Sequence, residues 1–389
     1  MERLLVVLGL SVLFYLVLPG VGAFAVRYRW RTFRRRTIEA SLLPRAGYHQ
    51  MRQAASAEAG AYLGRFRFLG SLEAIQGDDI MWVNDGTMSF AVDMKGQSVA
   101  LLASADGGSS VPSESPDLVP WRKLTHLTEG VRLFVAGGFY VDGGRGLFRG
   151  DSSSPLVAIM YGGPDSSMLR RAIYSGRQRN EYWNQLTPAS LAAGSLALLT
   201  VAYASLSAPG ARFEGLLAVT FSLVPISPLF PPGFILFFLY RRLWRRGRAL
   251  RAERDVVTLP LRYVPGQAPD LLSVPLPAGG RYAAIPIPRN MTPYFTERGA
   301  TVLTLSKTAQ RLRADDLYFA AGEISAGGAL TAPRDSLAEL VVVPGDPRTL
   351  ANDCERKARR LEALAVSLAA TGILANLYIV LLLLSNLLR

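Results

Sequence analysis

The sequence predicts a membrane protein with four α-helical spans and two related cytoplasmic domains, each a small all-β domain of the OB-like barrel or sandwich type. Three observations predict this fold class. Half of the 389 residues are hydrophobic, and the mean hydropathy of +0.21 is too high for a disordered chain. The 43 basic residues outnumber the 30 acidic ones and cluster beside long apolar runs. The segments between these runs contain short β-type stretches, parts of which match each other.

Four stretches reach the roughly 20 apolar residues that a spanning helix requires. They are residues 4–26, 189–208, 215–240 and 363–388. Basic residues follow the first and third stretches and precede the second and fourth, so all four clusters fall on one side of the membrane. Such residues stay in the cytoplasm. We therefore predict a multi-pass protein of a bacterial inner membrane, with both long connecting segments in the cytoplasm and both termini outside.

The juxtamembrane arginines are also expected to contact anionic lipid headgroups, which attract basic clusters at about 1 kcal/mol per residue. The alternative is that they only fix the topology. The arginines that carry both interpretations are Arg34, Arg35, Arg36, Arg241, Arg242, Arg245, Arg246, Arg359 and Arg360.

The N-terminal stretch has a second interpretation, because Ala23, Phe24 and Ala25 resemble a signal-peptidase site. A cleaved signal carries its positive charge before the apolar run, whereas six arginines follow this one. The order of charge and apolar run therefore predicts a retained membrane anchor.

The third stretch is irregular, because Pro225, Pro228 and Pro231 remove backbone donors from a single hydrophobic segment. Such a segment must kink or partly unwind, and its freed carbonyls need partners from neighbouring helices. None of the four stretches contains an internal acidic residue, lysine, arginine or histidine, and ion-coupled carriers usually place one there. A kinked packing helix is the favoured interpretation, and a gate or pore is the alternative.

Small residues predict where helices approach closely. Ser190 and Gly194 lie on the second stretch, and Ala365 and Ala369 lie on the fourth. We expect them to pack the spans against each other or against a second copy of the chain. Asn376, inside the fourth stretch, is expected to form hydrogen bonds between helices.

A comparison of the two long segments at a fixed offset predicts an internal duplication. Residues 133–138 (LFVAGG) reappear 184 positions later as residues 317–322 (LYFAAG). The same offset pairs Asp151 with Asp335 and Leu156 with Leu340, and residues 190–193 (SLAA) recur as residues 367–370 at an offset of 177. Each half would then contribute a helix, a cytoplasmic domain and a second helix.

The predicted cytoplasmic segments divide into β-domains at 27–166 and 241–347, the second being a shortened repeat, and basic juxtamembrane helices at 167–188 and 348–362. Short β-type runs joined by turn signals such as Asp85-Gly86 and Lys95-Gly96 indicate antiparallel strands. Strands are expected at 62–75, 80–84, 88–94, 98–104, 131–141 and 156–161 in the first domain, and at 256–264, 281–287, 301–305, 317–324 and 340–343 in the second. This pattern favours an OB-like barrel or a sandwich.

Residue types that carry chemistry are scarce. Cys354, His49 and His126 are the only cysteine and histidines, so metal sites and cysteine or serine triads have little support. The glycines at 143–146 lack the lysine and serine or threonine of a phosphate-binding loop. Asp78 and Asp79 are adjacent and favour a turn. The sequence predicts no cofactor, no metal and no enzymatic activity.

The charge of the strands argues against nucleic acid, although OB-like barrels often bind it. Residues 70–104 contain five acidic side chains and one lysine. The favoured function is a membrane scaffold or accessory subunit whose β-domains bind another protein, with a homo-oligomer as a second possible partner. A transport or channel component that uses the proline-rich segment is the alternative, and a lipid-acting enzyme at the membrane surface is third.

Overall fold

The computed structural model describes residues 2–102, 117–124, 127–151, 154–175, 177, 180–263, 274–276, 279–310 and 317–387. It divides into two compact units. The helical unit comprises Met1–Thr32, Arg179–Ala249 and Arg356–Arg389, and the β-unit comprises Phe33–Gln178 and Leu250–Glu355.

The described residues contain helices and strands in alternating groups. The helices are α1 (Glu2–Val12), α2 (Leu18–Ser41), α3 (Tyr48–Ser56), α4 (Asp165–Tyr174), α5 (Leu186–Leu206), α6 (Arg212–Ser222), α7 (Gly233–Val257), α8 (Thr292–Glu297), α9 (Lys307–Gln310) and α10 (Pro347–Leu387). The strands are β1 (Tyr62–Gln76), β2 (Ile80–Asn84), β3 (Ser89–Asp93), β4 (Ser98–Leu101), β5 (Asp117–Pro120), β6 (Arg132–Asp142), β7 (Arg145–Arg149), β8 (Val157–Tyr161), β9 (Val274–Pro275), β10 (Arg281–Pro288), β11 (Thr301–Val302), β12 (Leu317–Ile324), β13 (Leu330–Thr331) and β14 (Val341–Val343).

Three helical stretches are long and apolar enough to cross a membrane: Glu2–Ser41, Leu186–Leu206 and Pro347–Leu387. The predicted third span is not among them, because α6 ends at Ser222 and α7 begins only at Gly233. The intervening prolines cannot donate to the helical ladder, so the helix breaks there. The structure therefore shows three candidate spans, and a fourth crossing stays a prediction.

One polar side chain fills the break between α6 and α7. The Asn376 side chain is 3% exposed, and its Nδ2 donates to the carbonyls of Ser227 at 2.5 Å and Phe230 at 2.9 Å. The Gly233 amide donates to Asn376 Oδ1 at 3.4 Å. Asn376 thus supplies, from α10, the hydrogen bonds that the broken ladder lacks.

Small residues bring α10 close to α7. A Cβ on Gly372 would lie 3.3 Å from the Gly233 Cα, and one on Gly247 would lie 3.0 Å from the Glu362 side chain. Ala365 is fully buried and Ala369 partly buried on the same helix. The close approach of the two helices depends on Gly372 and Gly247, as is common between membrane helices, and a packing role for Ala365 and Ala369 stays a prediction.

The first helix contains a π-helical turn at Leu13–Val17, where α5 packs against it. A π-turn disturbs the regular ladder and leaves carbonyls for other donors. The Ser190 hydroxyl donates to the Phe14 carbonyl at 2.5 Å. A Cβ on Gly194 would lie 2.6 Å from Phe14 Cβ, so only glycine fits. Ser190 and Gly194 therefore contact the first helix.

Five strands of the β-unit form a closed ring in the order β1-β2-β3-β7-β6, closed by pairing of β6 with β1. All pairs are antiparallel except β3 with β7. Long β1 closes the ring because its second half pairs with β2 and its first half with β6. Inside the ring Phe90 makes edge-to-face contacts with Phe68, Phe139 and Phe148, which anchor the core.

The sheet continues beyond the ring from β6 to β8, β4 and β5. The outer face of β6 and β8 is buried by the chain itself. Phe134 and Ile159 on these strands pack with Ala40 of α2, Met168 of α4 and Leu337, which lies in the turn between β13 and β14. One side of the barrel is therefore part of a second hydrophobic core.

The second sheet has the order β11-β14-β12-β10-β9, with β13 paired to β12. β11 and β14 are parallel and the other pairs antiparallel. The strand predicted at 256–264 is wrong, because α7 continues to Val257 and a 3-10 turn follows at Leu259–Tyr263. Leu250 and Val257 are fully buried, so this part of α7 is held by packing.

Candidate functional site on the barrel

The other outer face of the barrel, on β2, β3 and β7, carries a row of paired residues. Trp82 pairs with Ala91, Ala91 with Leu147, and Leu147 with Tyr140. Paired residues on neighbouring strands share one face of a sheet. Because residues alternate between faces and Phe90 and Phe148 point inward, this row lies on the outer face, where Trp82 and Tyr140 are partly exposed and Ala91 and Leu147 are buried.

Trp82 lies at one end of this row. Its Nε1 donates to Gln76 Oε1 at 3.1 Å, and the guanidinium of exposed Arg145 lies 6.0 Å from the ring centroid. A cation over a tryptophan face is attracted by the ring electrons. The pair therefore holds a flat aromatic surface and a positive charge next to each other. We call the outward row with Arg145 the Trp82 face.

Tyrosines end the row at the far side. The rings of Tyr140 and Tyr62 lie 5.2 Å apart, and Tyr62 is 52% exposed. The Tyr140 hydroxyl donates to the Asp151 carboxylate, which raises the pKa of Tyr140 to about 12. Tyr140 is thus neutral at physiological pH and held in one orientation.

Acidic groups surround the Trp82 face. Arg149 pairs with Asp93 at 2.9 Å, so these two charges offset each other. Glu73 accepts a hydrogen bond from Ser89, and Asp142 at the β6 end is exposed. The surface next to the tryptophan is therefore mixed in charge and rich in carboxylates.

Sequence reasoning missed the basic part of this face. The charge count covered only residues 70–104, whereas Arg145 and Arg149 come from β7, which the parallel pairing places beside β3. The available signal was the alternation in residues 145–149 (RGLFR), whose first, third and fifth residues share one face of a strand. No local pattern placed that strand beside Trp82.

A buried ion pair connects the barrel to the second sheet. Arg67 Nη2 donates to Asp335 Oδ2 at 2.5 Å, and the two side chains are 0% and 2% exposed. Arg67 Nε also donates to the Leu43 carbonyl at 2.7 Å, and the Leu337 amide donates to Asp335 Oδ1 at 3.1 Å. This pair fixes structure and presents no group to a ligand.

The juxtamembrane arginines have different surroundings. Arg34 is buried, and its guanidinium donates to the Ser175 carbonyl at 3.3 Å. Arg34 therefore has a structural contact in the β-unit. The other predicted arginines are exposed: Arg35, Arg36, Arg241, Arg242, Arg245, Arg246, Arg359 and Arg360.

The remaining sequence candidates do not assemble into a reactive site among the described residues. Cys354 is buried, and burial raises the pKa of its thiol to about 12, so little thiolate forms. His49 is exposed, and His126 and Ser152 lie outside the described residues. No group of three potential metal ligands occurs in the described part of the chain.

Comparisons with family models, curated proteins and solved structures find no match. The function proposed below therefore depends on the geometry of the Trp82 face and of the helical unit.

Proposed function

We propose that this protein is a membrane scaffold that binds a protein partner through the Trp82 face. The observation that carries the proposal is the contrast between the two sides of the barrel. The outer face at Phe134 is buried by α2, α4 and Leu337, whereas on the Trp82 face Arg145 is exposed and Trp82 is partly exposed. Tryptophan, tyrosine and arginine supply most hot spots of protein interfaces.

The surrounding charge specifies the chemistry of the partner. Glu73 and Asp142 beside the row favour a partner that combines an apolar side chain with basic residues. Nucleic acid is disfavoured, because a phosphate backbone requires a cationic groove. We therefore expect a protein segment that stacks on Trp82 and places lysine or arginine near the acidic rim.

Replacing both Trp82 and Arg145 with alanine tests the proposal. A photocrosslinking residue in place of Ile80 on β2 should capture the partner in native membranes. We expect the double substitution to reduce that crosslink by roughly 30-fold or more, because hot-spot residues each contribute about 2 kcal/mol or more. The measurement is the yield of crosslinked complex after mild detergent extraction.

Tyr294 on α8 provides a matched control, since it is also aromatic and 41% exposed in the β-unit. Tyr294→Ala should leave the crosslink unchanged. A crosslink that survives loss of Trp82 and Arg145, or purification of a lone monomer, would reject the proposal.

We also propose that the second sheet is a reduced copy of the first. The runs β1-β6-β8-β4 and β10-β12-β14-β11 have the same order and the same strand directions. A Cβ on Gly137 would lie 3.0 Å from Leu156, and one on Gly322 would lie 2.6 Å from Leu340. In each sheet, therefore, a glycine on one strand leaves room for a leucine that packs against it.

The sequence offset between the two copies is not constant in this comparison. Leu156 and Leu340 are 184 positions apart, whereas Gly137 and Gly322 are 185 positions apart. The ring order of the first copy, with its single parallel pair, supports an OB-like barrel. The second copy has no described counterpart of β2 and β3, which explains an open sheet.

We propose that α6 and the start of α7 together form the fourth crossing. At about 1.5 Å per residue, the 11 residues of α6 span roughly 16 Å and residues 233–240 roughly 12 Å. Their sum approaches the roughly 30 Å of a bilayer core. The exposed arginines then lie at one surface of a bacterial inner membrane, where they contact anionic lipid, with both long segments cytoplasmic.

Single cysteines in a Cys354→Ala background test this topology. We expect an impermeant maleimide to label Ser207→Cys in intact cells, because that exposed residue follows α5 on the outer side. Lys95→Cys and Arg334→Cys, both exposed in the β-unit, should react only after the cells are opened. Labelling of either β-unit cysteine in intact cells would show that the β-unit lies outside the cytoplasm and would contradict the proposed topology.

A further inference from the structure

An exposed apolar surface lies around α8 at one end of the second sheet. Met291 and Tyr294 are each 41% exposed, and Leu317 is 50% exposed. Leu317 begins β12 and pairs with Pro288, the last residue of β10, three positions before Met291. The antiparallel pairing therefore brings these residues to the same end of the sheet. We call Pro288, Met291, Tyr294 and Leu317 the α8 surface.

The α8 surface is exposed because α8 contributes a single side chain to the core. Phe295, 4% exposed, is the only buried residue of this six-residue helix, and it packs in the same core cluster as Ile287. Met291 and Tyr294 are three positions apart, and Arg298 follows four positions later. Residues at these spacings share one side of a helix. Two apolar side chains and a guanidinium group are therefore neighbours on the exposed side.

The charge around the α8 surface is basic. Residues 281–310 contain four basic side chains and one acidic side chain, Glu297. The Arg298 guanidinium lies 4.1 Å from the Tyr294 ring centroid, and Arg289 is exposed in the turn before α8. Apolar and aromatic side chains flanked by arginines are typical of protein surfaces that enter the headgroup region of an anionic bilayer.

An anionic bilayer fits this surface better than it fits the Trp82 face. Glu73 and Asp142 beside the Trp82 face would be repelled by anionic headgroups, because like charges repel. The second sheet is also joined closely to a candidate span. The continuous helix α10, which contains that span, begins four residues after the end of β14. Such a tether raises the effective concentration of the bilayer, so a small contact surface suffices.

We propose that the α8 surface contacts an anionic bilayer. Met291, Tyr294 and Leu317 enter the boundary between headgroups and acyl chains, and Arg289 and Arg298 contact lipid phosphates. This contact gives the second sheet its own attachment to the membrane, separate from the juxtamembrane arginines and from the Trp82 face.

Fluorescence quenching in the full-length protein tests the proposal. Met291→Cys in the Cys354→Ala background is labelled with a fluorophore, and the protein is placed in nanodiscs of phosphatidylcholine and phosphatidylglycerol that contain spin-labelled lipid. We expect the lipid to quench most of the label at position 291. A label on Lys95→Cys, also exposed in the β-unit, is the matched control and should stay unquenched.

Arg289→Gln together with Arg298→Gln isolates the electrostatic contribution. We expect the ratio of quenched to unquenched label, measured by fluorescence lifetimes, to fall roughly 30-fold, because each basic residue near an anionic surface contributes about 1 kcal/mol. Nanodiscs of phosphatidylcholine alone should lower the ratio to a similar extent. Arg52→Gln together with Arg65→Gln removes the same charge from exposed positions elsewhere in the β-unit and should leave the ratio unchanged.

Three outcomes would overturn the proposal. The first is quenching at position 291 no greater than at position 95. The second is a ratio that neither the arginine substitutions nor neutral lipid lowers. The third is a label that lipid leaves unquenched but whose spectrum shifts as the protein concentration rises, which would identify a second copy of the chain on this surface. Circular dichroism of each variant excludes unfolding as the cause of a loss.

Discussion

Replacing Asp335 with asparagine is expected to lower the free energy of unfolding by about 3–5 kcal/mol. The change removes the carboxylate charge but keeps nearly the same shape. It leaves the Arg67 guanidinium, which is 0% exposed, without its counter-ion. Urea unfolding of the solubilised protein, followed by tryptophan fluorescence, measures the loss.

Asp93→Asn is the matched control, because Arg149 in that pair is 54% exposed and such pairs contribute about 0–1 kcal/mol. Replacing Arg67 with methionine and Asp335 with leucine together should recover most of the loss, since two apolar side chains leave no buried charge. If Asp335→Asn lowers the free energy of unfolding no more than Asp93→Asn does, the buried pair does not hold the barrel and the second sheet together.

Replacing Asn376 with leucine is expected to lower the free energy of unfolding by about 2–5 kcal/mol, because three interhelical hydrogen bonds are lost at roughly 0.6–1.7 kcal/mol each. The carbonyls of Ser227 and Phe230 would lose their Asn376 donor in an apolar environment. Unfolding of the solubilised protein in increasing SDS measures the change.

Asn386→Leu is the control on the same helix, since Asn386 is exposed. It should have little effect. The same comparison bears on the transport alternative. If the break between α6 and α7 were a gate, Asn376→Leu would change a flux while leaving stability intact, and that outcome would contradict the packing role described for Asn376.

Local signals predicted much of the first sheet. The turns Asp85-Gly86 and Lys95-Gly96 separate strands found close to the predicted positions, because turn chemistry is read from adjacent residues. The same approach failed at 256–264. Its hydrophobic residues resemble a strand, but they continue the helical period of α7 through buried Leu250 and Val257. Periodicity over a short apolar run cannot separate these two states.

Contacts between segments that are distant in the chain could not be predicted from local sequence patterns. Closure of the ring depends on β1 pairing with β6, and the Trp82 face depends on β7 lying parallel to β3. Neither pairing follows from residues close in the chain. Proline chemistry did identify the irregular segment after residue 222, but the partner of its freed carbonyls, Asn376, was set by helix packing.

The buried pair between Arg67 and Asp335 also places a demand on protein synthesis. The two residues are 268 positions apart, so at about 5–20 residues per second a ribosome takes roughly 13–54 s to connect them. During that interval the nascent barrel holds an arginine without its counter-ion and an apolar face at Phe134 without Leu337. A soluble version for expression therefore has to join residues 33–178 to residues 250–355. A fragment that ends before Asp335 would keep Arg67 without its counter-ion and Phe134 without Leu337.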